Sequence, residues 1–285
     1  LKVLKKQNQK DFILLVMGGD KLTQQKIIIL REKILQSIDW QCDVFTLFSK
    51  TNLGCKMGPY RAISWFFANE SQGIVLEDDC LPSLSFFHFC DIMLQKYQNH
   101  ENIGIISGMQ FCTHYTKNFS QDYFFTKSVH TNGWATWRRI WENVAMDFKD
   151  FQGNFEEIIP LFISKKEKAQ CKKIFDIWQK KGFEDAWDYQ FGFHLLYKKT
   201  LNISPKNNLV INIGLTHQNA THKIFDDFFH KLTLQEMHFP LTDPKEITRD
   251  INLEIEYFKN FKKKNLIFRI INKISRTFFK KHIFK

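Results

Sequence analysis

The sequence has no Cys-x-x-Cys pair, no long apolar run, and only 12 glycines and 6 prolines in 285 residues. Its six cysteines, at positions 42, 55, 80, 90, 112 and 171, therefore suit neither a zinc ribbon nor a dithiol redox motif. We read them as reduced thiols of a cytosolic protein. A membrane-spanning helix needs about 20 predominantly apolar residues, and no stretch reaches that length. Low glycine and proline exclude collagen-like and low-complexity chains. Acid is missing from one region altogether. Residues 257–285 hold ten lysines and arginines against no carboxylate, which leaves the remainder with +1 of the net charge of +11. A nearly neutral body argues against nucleic-acid binding, where the charge sits on the folded surface.

What is present suits a globular protein of one large domain or two small ones, with 44% hydrophobic residues, 25% charged residues and 30 phenylalanines. Residues 1–9 read as the end of a helix, and the apolar run 12–17 as a buried strand closed by Gly18-Gly19-Asp20. Ile27, Leu30, Ile34 and Leu35 recur at helical spacing, and a second strand is expected over 43–48. A helix over 59–69, a strand at 74–76, a helix to Tyr97 capped by Ser83 or Ser85, and a strand over 103–107 follow. This alternation predicts an α/β fold with a mainly parallel sheet and crossover helices.

The most informative stretch is Gly73-Ile74-Val75-Leu76-Glu77-Asp78-Asp79-Cys80-Leu81-Pro82. A β-branched apolar run ends in three adjacent acids, then in a proline that cannot continue a ladder. Three neighbouring carboxylates repel one another, and a hard divalent cation such as Mg²⁺ or Mn²⁺ compensates them well. Ligands in open α/β sheets bind outside the carboxyl ends of strands, where these acids fall. The alternative is a solvated acidic turn with Asp79 near the cap of the next helix.

Beyond residue 107 the chain turns aromatic and less periodic. His130-Thr131-Asn132-Gly133-Trp134-Ala135-Thr136-Trp137-Arg138-Arg139 offers either a wall for a planar or anionic ligand or the start of a core helix, with Trp134 and Trp137 expected at least partly in the core either way. Residues 155–181 read as a basic surface helix, 189–197 as a mostly apolar one, and 209–213 as a late strand. His217 and His222 follow in one loop, with His217 read as solvated.

Taken in order, Asn52-Leu53-Gly54-Cys55, Leu76-Glu77-Asp78-Asp79-Cys80-Leu81-Pro82, Gly133-Trp134-Ala135-Thr136-Trp137-Arg138-Arg139, Trp187-Asp188-Tyr189, Asn212-Ile213-Gly214 and Ala220-Thr221-His222 carry a resemblance. They resemble a bacterial family of GT-A-fold nucleotide-diphospho-sugar transferases, sometimes labelled hemolytic-protein-like. The Glu-Asp-Asp stretch is also similar to that of N-acetylglucosaminyltransferase I. The resemblance covers roughly residues 1–225, and its motifs are specific as an ordered set. It implies metal-dependent transfer of a sugar, inverting, from a nucleoside-diphosphate donor such as a UDP-sugar to a glycan or glycolipid hydroxyl. A place in surface-polysaccharide or lipopolysaccharide assembly is implied with it.

Residue by residue, the resemblance makes Asp79 the main metal contact, with Mn²⁺ or Mg²⁺ as cofactor and His222 completing metal or diphosphate binding. Glu77 or Asp78 would face the donor's ribose and phosphates, and Asn52, Gly133 and Trp134 fall in its donor-binding motifs. Asp188 would be the acceptor-side base, with Asp185 as competitor or with Asp188 serving only the helix start. Chemistry alone adds Lys56, Arg61, Arg138 and Arg139 as diphosphate partners, because a departing diphosphate needs cations nearby. The chain departs from the family at Met17-Gly18-Gly19-Asp20, which lacks an Ala-Asp-Gly-Pro-like turn and leaves the role of Asp20 open. We expect residues preceding Leu1 in the natural protein to supply a first strand.

Three segments follow: a transferase-like domain over 1–225, a linker over 226–256, and a basic amphipathic tail over 257–285. In the tail Ile267, Ile270, Ile271, Ile274 and Phe278 recur at helical spacing, the pattern of an interfacial helix on an anionic membrane face. The expected location is the cytoplasm, peripheral on the inner face of the membrane, without nucleic-acid partners. Two rivals are a non-catalytic transferase-like protein of the membrane surface and a sugar-1-phosphate nucleotidyltransferase. The latter should carry an early glycine-rich phosphate loop, for which Gly18-Gly19 falls short.

Overall fold

A computed structural model describes residues 11–16, 24–183, 186–214 and 232–260. The expectations on residues 1–9, Gly18, Gly19, Asp20, Asp185, His217, His222 and the tail beyond 260 lie outside the described residues. The architecture is α/β. Strands β3 (Gln72–Val75), β5 (Ile103–Ser107), β6 (Tyr123–Thr126), β7 (Trp134–Trp137) and β8 (Leu201–Pro205) form a mixed five-stranded sheet in the order β3-β7-β5-β8-β6. Two smaller sheets pair β1 (Asp11–Val16) with β2 (Asp43–Phe48), and β4 (Cys80–Pro82) with β9 (Val210–Asn212).

Against the expectation of a mainly parallel sheet, the five-stranded sheet is mixed. β1 and β2 are parallel, Asp11 opposite Asp43, but they form a sheet of their own. β6–β8 and β4–β9 are antiparallel. Strand–helix alternation over the first 107 residues is a local signal, blind to strands contributed later. Here β7 lies between β3 and β5.

By internal contacts the chain forms two compact units. Unit 1 comprises Leu1–Val75, Phe87–Gly104 and Ala135–Thr200. Within it, helix α1 (Gln24–Gln36) half-buries Ile27, Arg31 and Ile34, while Leu30 and Leu35 stay exposed. Arg31 lies over the Phe48 ring and donates to the Ser49 carbonyl at 2.7 Å, so a cation occupies part of the face predicted to be apolar. Helix α2 (Gly54–Asn69) starts five residues earlier than expected and runs through Pro59 in its second turn, which was read as the helix start because proline favours that position. It buries Ile63 and Phe67.

The helix expected over 155–181 is two elements. A 3-10 turn at Phe155–Leu161 is closed by a capping box from Asn154 and Glu157. Ser164 then caps α6 (Lys165–Lys181), its hydroxyl accepting from the Glu167 amide at 3.1 Å. Phe155, Ile158, Phe175, Trp178 and Phe193 pack into one cluster, with Trp178 and Phe193 stacked at 5.5 Å. Each such side chain contributes about 1.5–3 kcal/mol by leaving water.

Unit 2 comprises Leu76–Phe86, Ile105–Trp134 and Leu201–Lys285. Its core gathers Met109, Phe111, Cys112, Phe124, Leu253 and Tyr257. Two sequence-based expectations change here. Residues 232–256, read as linker, are bonded into the unit. Asn208 exchanges bonds with Gln235 and Thr233, and the Tyr123 hydroxyl donates to Asp243 at 2.8 Å. Tyr257, counted in the tail, is core, its hydroxyl 2.5 Å from Ser204 Oγ.

Residues 251–260 are helical (α8). Glu254 reaches from it to the end of β6 with its side chain fully buried. It accepts from the Lys127 amide at 2.6 Å, from Lys127 Nζ at 3.0 Å and from Arg249 Nε at 3.0 Å. Helix α3 (Leu84–Lys96) is capped by neither candidate serine. Glu236 accepts from the amides of Leu84 at 3.2 Å and Ser85 at 2.8 Å, while Ser85 Oγ accepts from Met237.

Candidate functional site

The acids leave β3 as a tight turn in which the Cys80 amide donates to the Glu77 carbonyl at 3.1 Å. Asp78 is exposed, and Glu77 and Asp79 are half-buried. The chain then enters β4, which pairs with β9 so that Cys80 faces Asn212 and Pro82 faces Val210. Pro82 ends this short ladder, and the Ser83 amide turns to the Leu209 carbonyl at 2.8 Å.

Asp79 is fixed from both backbone and side chain. Its carbonyl accepts from the Ile213 amide at 2.8 Å, and its Oδ1 lies 3.8 Å from the Cys80 thiol. Burial above all, together with the charges of Asp79 and Glu77, pushes the Cys80 thiol up to about 12. It stays protonated and serves Asp79 as a weak donor, not as a nucleophile. The other oxygen faces Gly214, where an added Cβ would stand 2.6 Å from Asp79 Oδ2.

Two asparagines extend the site. Asn212 Oδ1 accepts from the Gly214 amide at 2.8 Å, and its Nδ2 donates to Asn132 Oδ1 at 3.0 Å. Asn132 is followed by Gly133, whose φ of +67° suits glycine. A Cβ on Gly133 would meet Val210 Cγ2 at 2.7 Å and Leu76 Cδ2 at 3.2 Å. The turn, β9 and the 132–133 corner are thus held by two glycines and an amide relay, all within unit 2. Asn132 and Asn212 were missed as a pair, since nothing in their spacing links them. Gly214, two residues past a strand, was the available signal.

The remaining predicted residues are placed as follows. Trp134 is wholly buried in β7, which removes it as an open wall for a ligand and makes the helix start a strand. Gly133 fulfils a packing role beside the acidic turn. Asn52, Lys56, Arg61, Arg138, Arg139 and Asp188 belong to unit 1. Asn52 Oδ1 accepts from the Gly54 amide at 2.9 Å, a local turn. Lys56 pairs with Asp147 at 2.6 Å, and Arg61 is exposed on α2. Arg138 donates to the Glu70 carbonyl at 3.2 Å, while Arg139 donates to the carbonyls of Ile103 and His100 and lies over the Trp137 ring. These contacts hold backbone.

Asp188, flanked by Trp187 and Tyr189 whose burial would be expected to desolvate it, opens helix α7 (Asp188–Tyr197) at its first helical position and is itself exposed. Its neighbour Trp187 is the buried one, at the cap position, and the Tyr189 ring stacks on Phe183 at 4.8 Å.

Among the described residues, no three His, Cys, Asp or Glu side chains gather to hold a metal. That donor set does not suit an all-protein cage. The half-buried carboxylates of Glu77 and Asp79 do fit the other mode, in which a divalent ion takes one or two carboxylates and completes its shell with a ligand's phosphates and water. His222 lies outside the described residues. Compared with protein-family models and with curated proteins, the chain matches none.

Proposed function

We propose that this chain is a GT-A-fold glycosyltransferase that moves a sugar from a nucleoside-diphosphate donor to a hydroxyl of a glycan or glycolipid. The observation that carries the proposal is Asp79. A carboxylate in the turn between β3 and β4 is held in place, with one oxygen against a glycine whose amide is bonded to Asn212, itself bonded to Asn132. The order of sequence motifs around it supports the same reading, as does the α/β architecture.

In this reading Asp79 is the protein's contact to Mn²⁺ or Mg²⁺, and Glu77 or Asp78 takes the donor's ribose and phosphates. The bound ion would neutralise charge developing on the departing diphosphate. On the resemblance of its motif alone, Asp188 is assigned as the base for the acceptor hydroxyl, whose direct displacement of the diphosphate would invert the anomeric carbon.

The test is thermal unfolding with UDP and UDP-sugars, with Mn²⁺ or with chelator, on the wild type and on Asp79→Ala. A ligand at a hundred times its Kd stabilises the native state by about 2.7 kcal/mol, a shift of several degrees. We expect a shift that needs both nucleotide and metal and disappears in Asp79→Ala. Equal shifts with metal and with chelator overturn the proposal.

A further inference from the structure

Helix α6 carries seven lysines and no arginine in 17 residues. Lys166, Lys173 and Lys180 are seven apart, so they line up along one face in steps of about 10 Å. All three are exposed, as are Lys165 and Lys181 at the two ends. The opposite face is fully used, because Phe175 and Trp178 are buried in the unit 1 aromatic cluster. The acids do not offset the stripe. Glu167 binds the Ile163 amide at 2.9 Å, and Asp176 is paired with Lys172. Two isoleucines are also exposed here, Ile163 just before the helix at 37% and Ile177 between the lysines at 38%.

We propose that this face of α6 is a docking surface for an anionic lipid bilayer, with the lysines on headgroup phosphates and Ile163 and Ile177 entering the interface. A nucleic acid offers phosphates too, but the composition favours lipid. The helix has no guanidinium for bidentate phosphate contacts, and its aromatic rings are buried, so no base can stack on them. Exposed isoleucines gain nothing from a phosphate backbone and do gain from a headgroup boundary. The surface is independent of the transferase proposal and distinct from the basic tail.

The experiment uses the full chain with phosphatidylcholine vesicles containing or lacking phosphatidylglycerol, followed by sedimentation. The wild type is compared with a triple variant, Lys166→Gln, Lys173→Gln and Lys180→Gln, and with the three lysines changed to arginine. Each basic residue near an anionic membrane is worth about 1 kcal/mol, so the glutamine variant should bind on the order of a hundredfold more weakly. The arginine variant should bind as the wild type does, and raised salt should weaken both. Exposed lysines leave Tm nearly unchanged, which separates a docking defect from misfolding. Glutamine-variant binding within about twofold of wild type overturns the proposal. So does equal binding to neutral vesicles. If the substitutions abolish binding of a duplex oligonucleotide and spare vesicles, the partner is a nucleic acid and the lipid assignment falls.

Discussion

Asp79 and Gly214 stand so close that a methyl group on Gly214 would lie 2.6 Å from the aspartate's Oδ2 and 2.8 Å from its Cβ. Glycine at 214 therefore sets where the Asp79 carboxylate rests. Gly214→Ala should displace that carboxylate and weaken metal-dependent nucleotide binding at least tenfold, about 1.4 kcal/mol. In an Asp79→Gly background both aspartate atoms that an alanine at 214 would meet, the Oδ2 and the Cβ, are gone, so the double variant should be no less stable than Gly214→Ala alone. A double-mutant cycle by urea unfolding measures this coupling, and strict additivity contradicts it.

Asp188 separates a chemical role from a helix-end role. As an exposed acid at the first position of α7 it interacts favourably with the helix dipole, worth about 0.3–1 kcal/mol. Asp188→Asn should cost no more than that in stability. As the base, its loss should slow transfer by about 10² to 10⁴ while donor binding persists. Transfer at the wild-type rate would move the role to another acid.

Glu254 is the most consequential buried charge described. Burial raises its pKa, but the Arg249 hydrogen bond, the Lys127 charge and the Lys127 amide together outweigh burial and hold the carboxyl below its usual range. A folded pKa below the unfolded value of about 4.3 gives stability that is fully present above that pH. It is lost as the pH falls through the folded pKa. Glu254→Gln leaves Lys127 without its carboxylate and should cost about 3–5 kcal/mol at pH 7. The variant should also flatten the acid limb of stability below pH of about 4.3. Urea midpoints at pH 7 and in the acid range check both, and a parallel acid limb in the variant refutes the assignment.

Elements built from local pattern were legible in the sequence. The strands expected over 43–48 and 103–107 form at those positions, and the apolar helix ends at Tyr197 as expected. Elements defined by distant partners were not. Ser83 and Ser85 look like caps, but a glutamate 151 residues from Ser85 binds the amides that start α3. Trp134 was expected to be at least partly core under either reading and is wholly buried, but in a strand and not at a helix start, because its partner strands are distant in sequence. The acidic turn was visible as chemistry. Its support by Asn132, Asn212 and Gly214 was not, since amides and glycines show no periodicity.

The buried clamp from Glu254 to Lys127 spans 127 residues of sequence, and the Glu236 cap on α3 spans 151. During synthesis at about 5–20 residues per second, β4 and β6 must wait several seconds for β9, β8 and α8. A nascent chain halted after residue 200 would carry Phe124 and Phe125 on a strand whose partner does not yet exist. Vectorial synthesis thus leaves unit 2 as a set of unclosed edges until its last elements arrive.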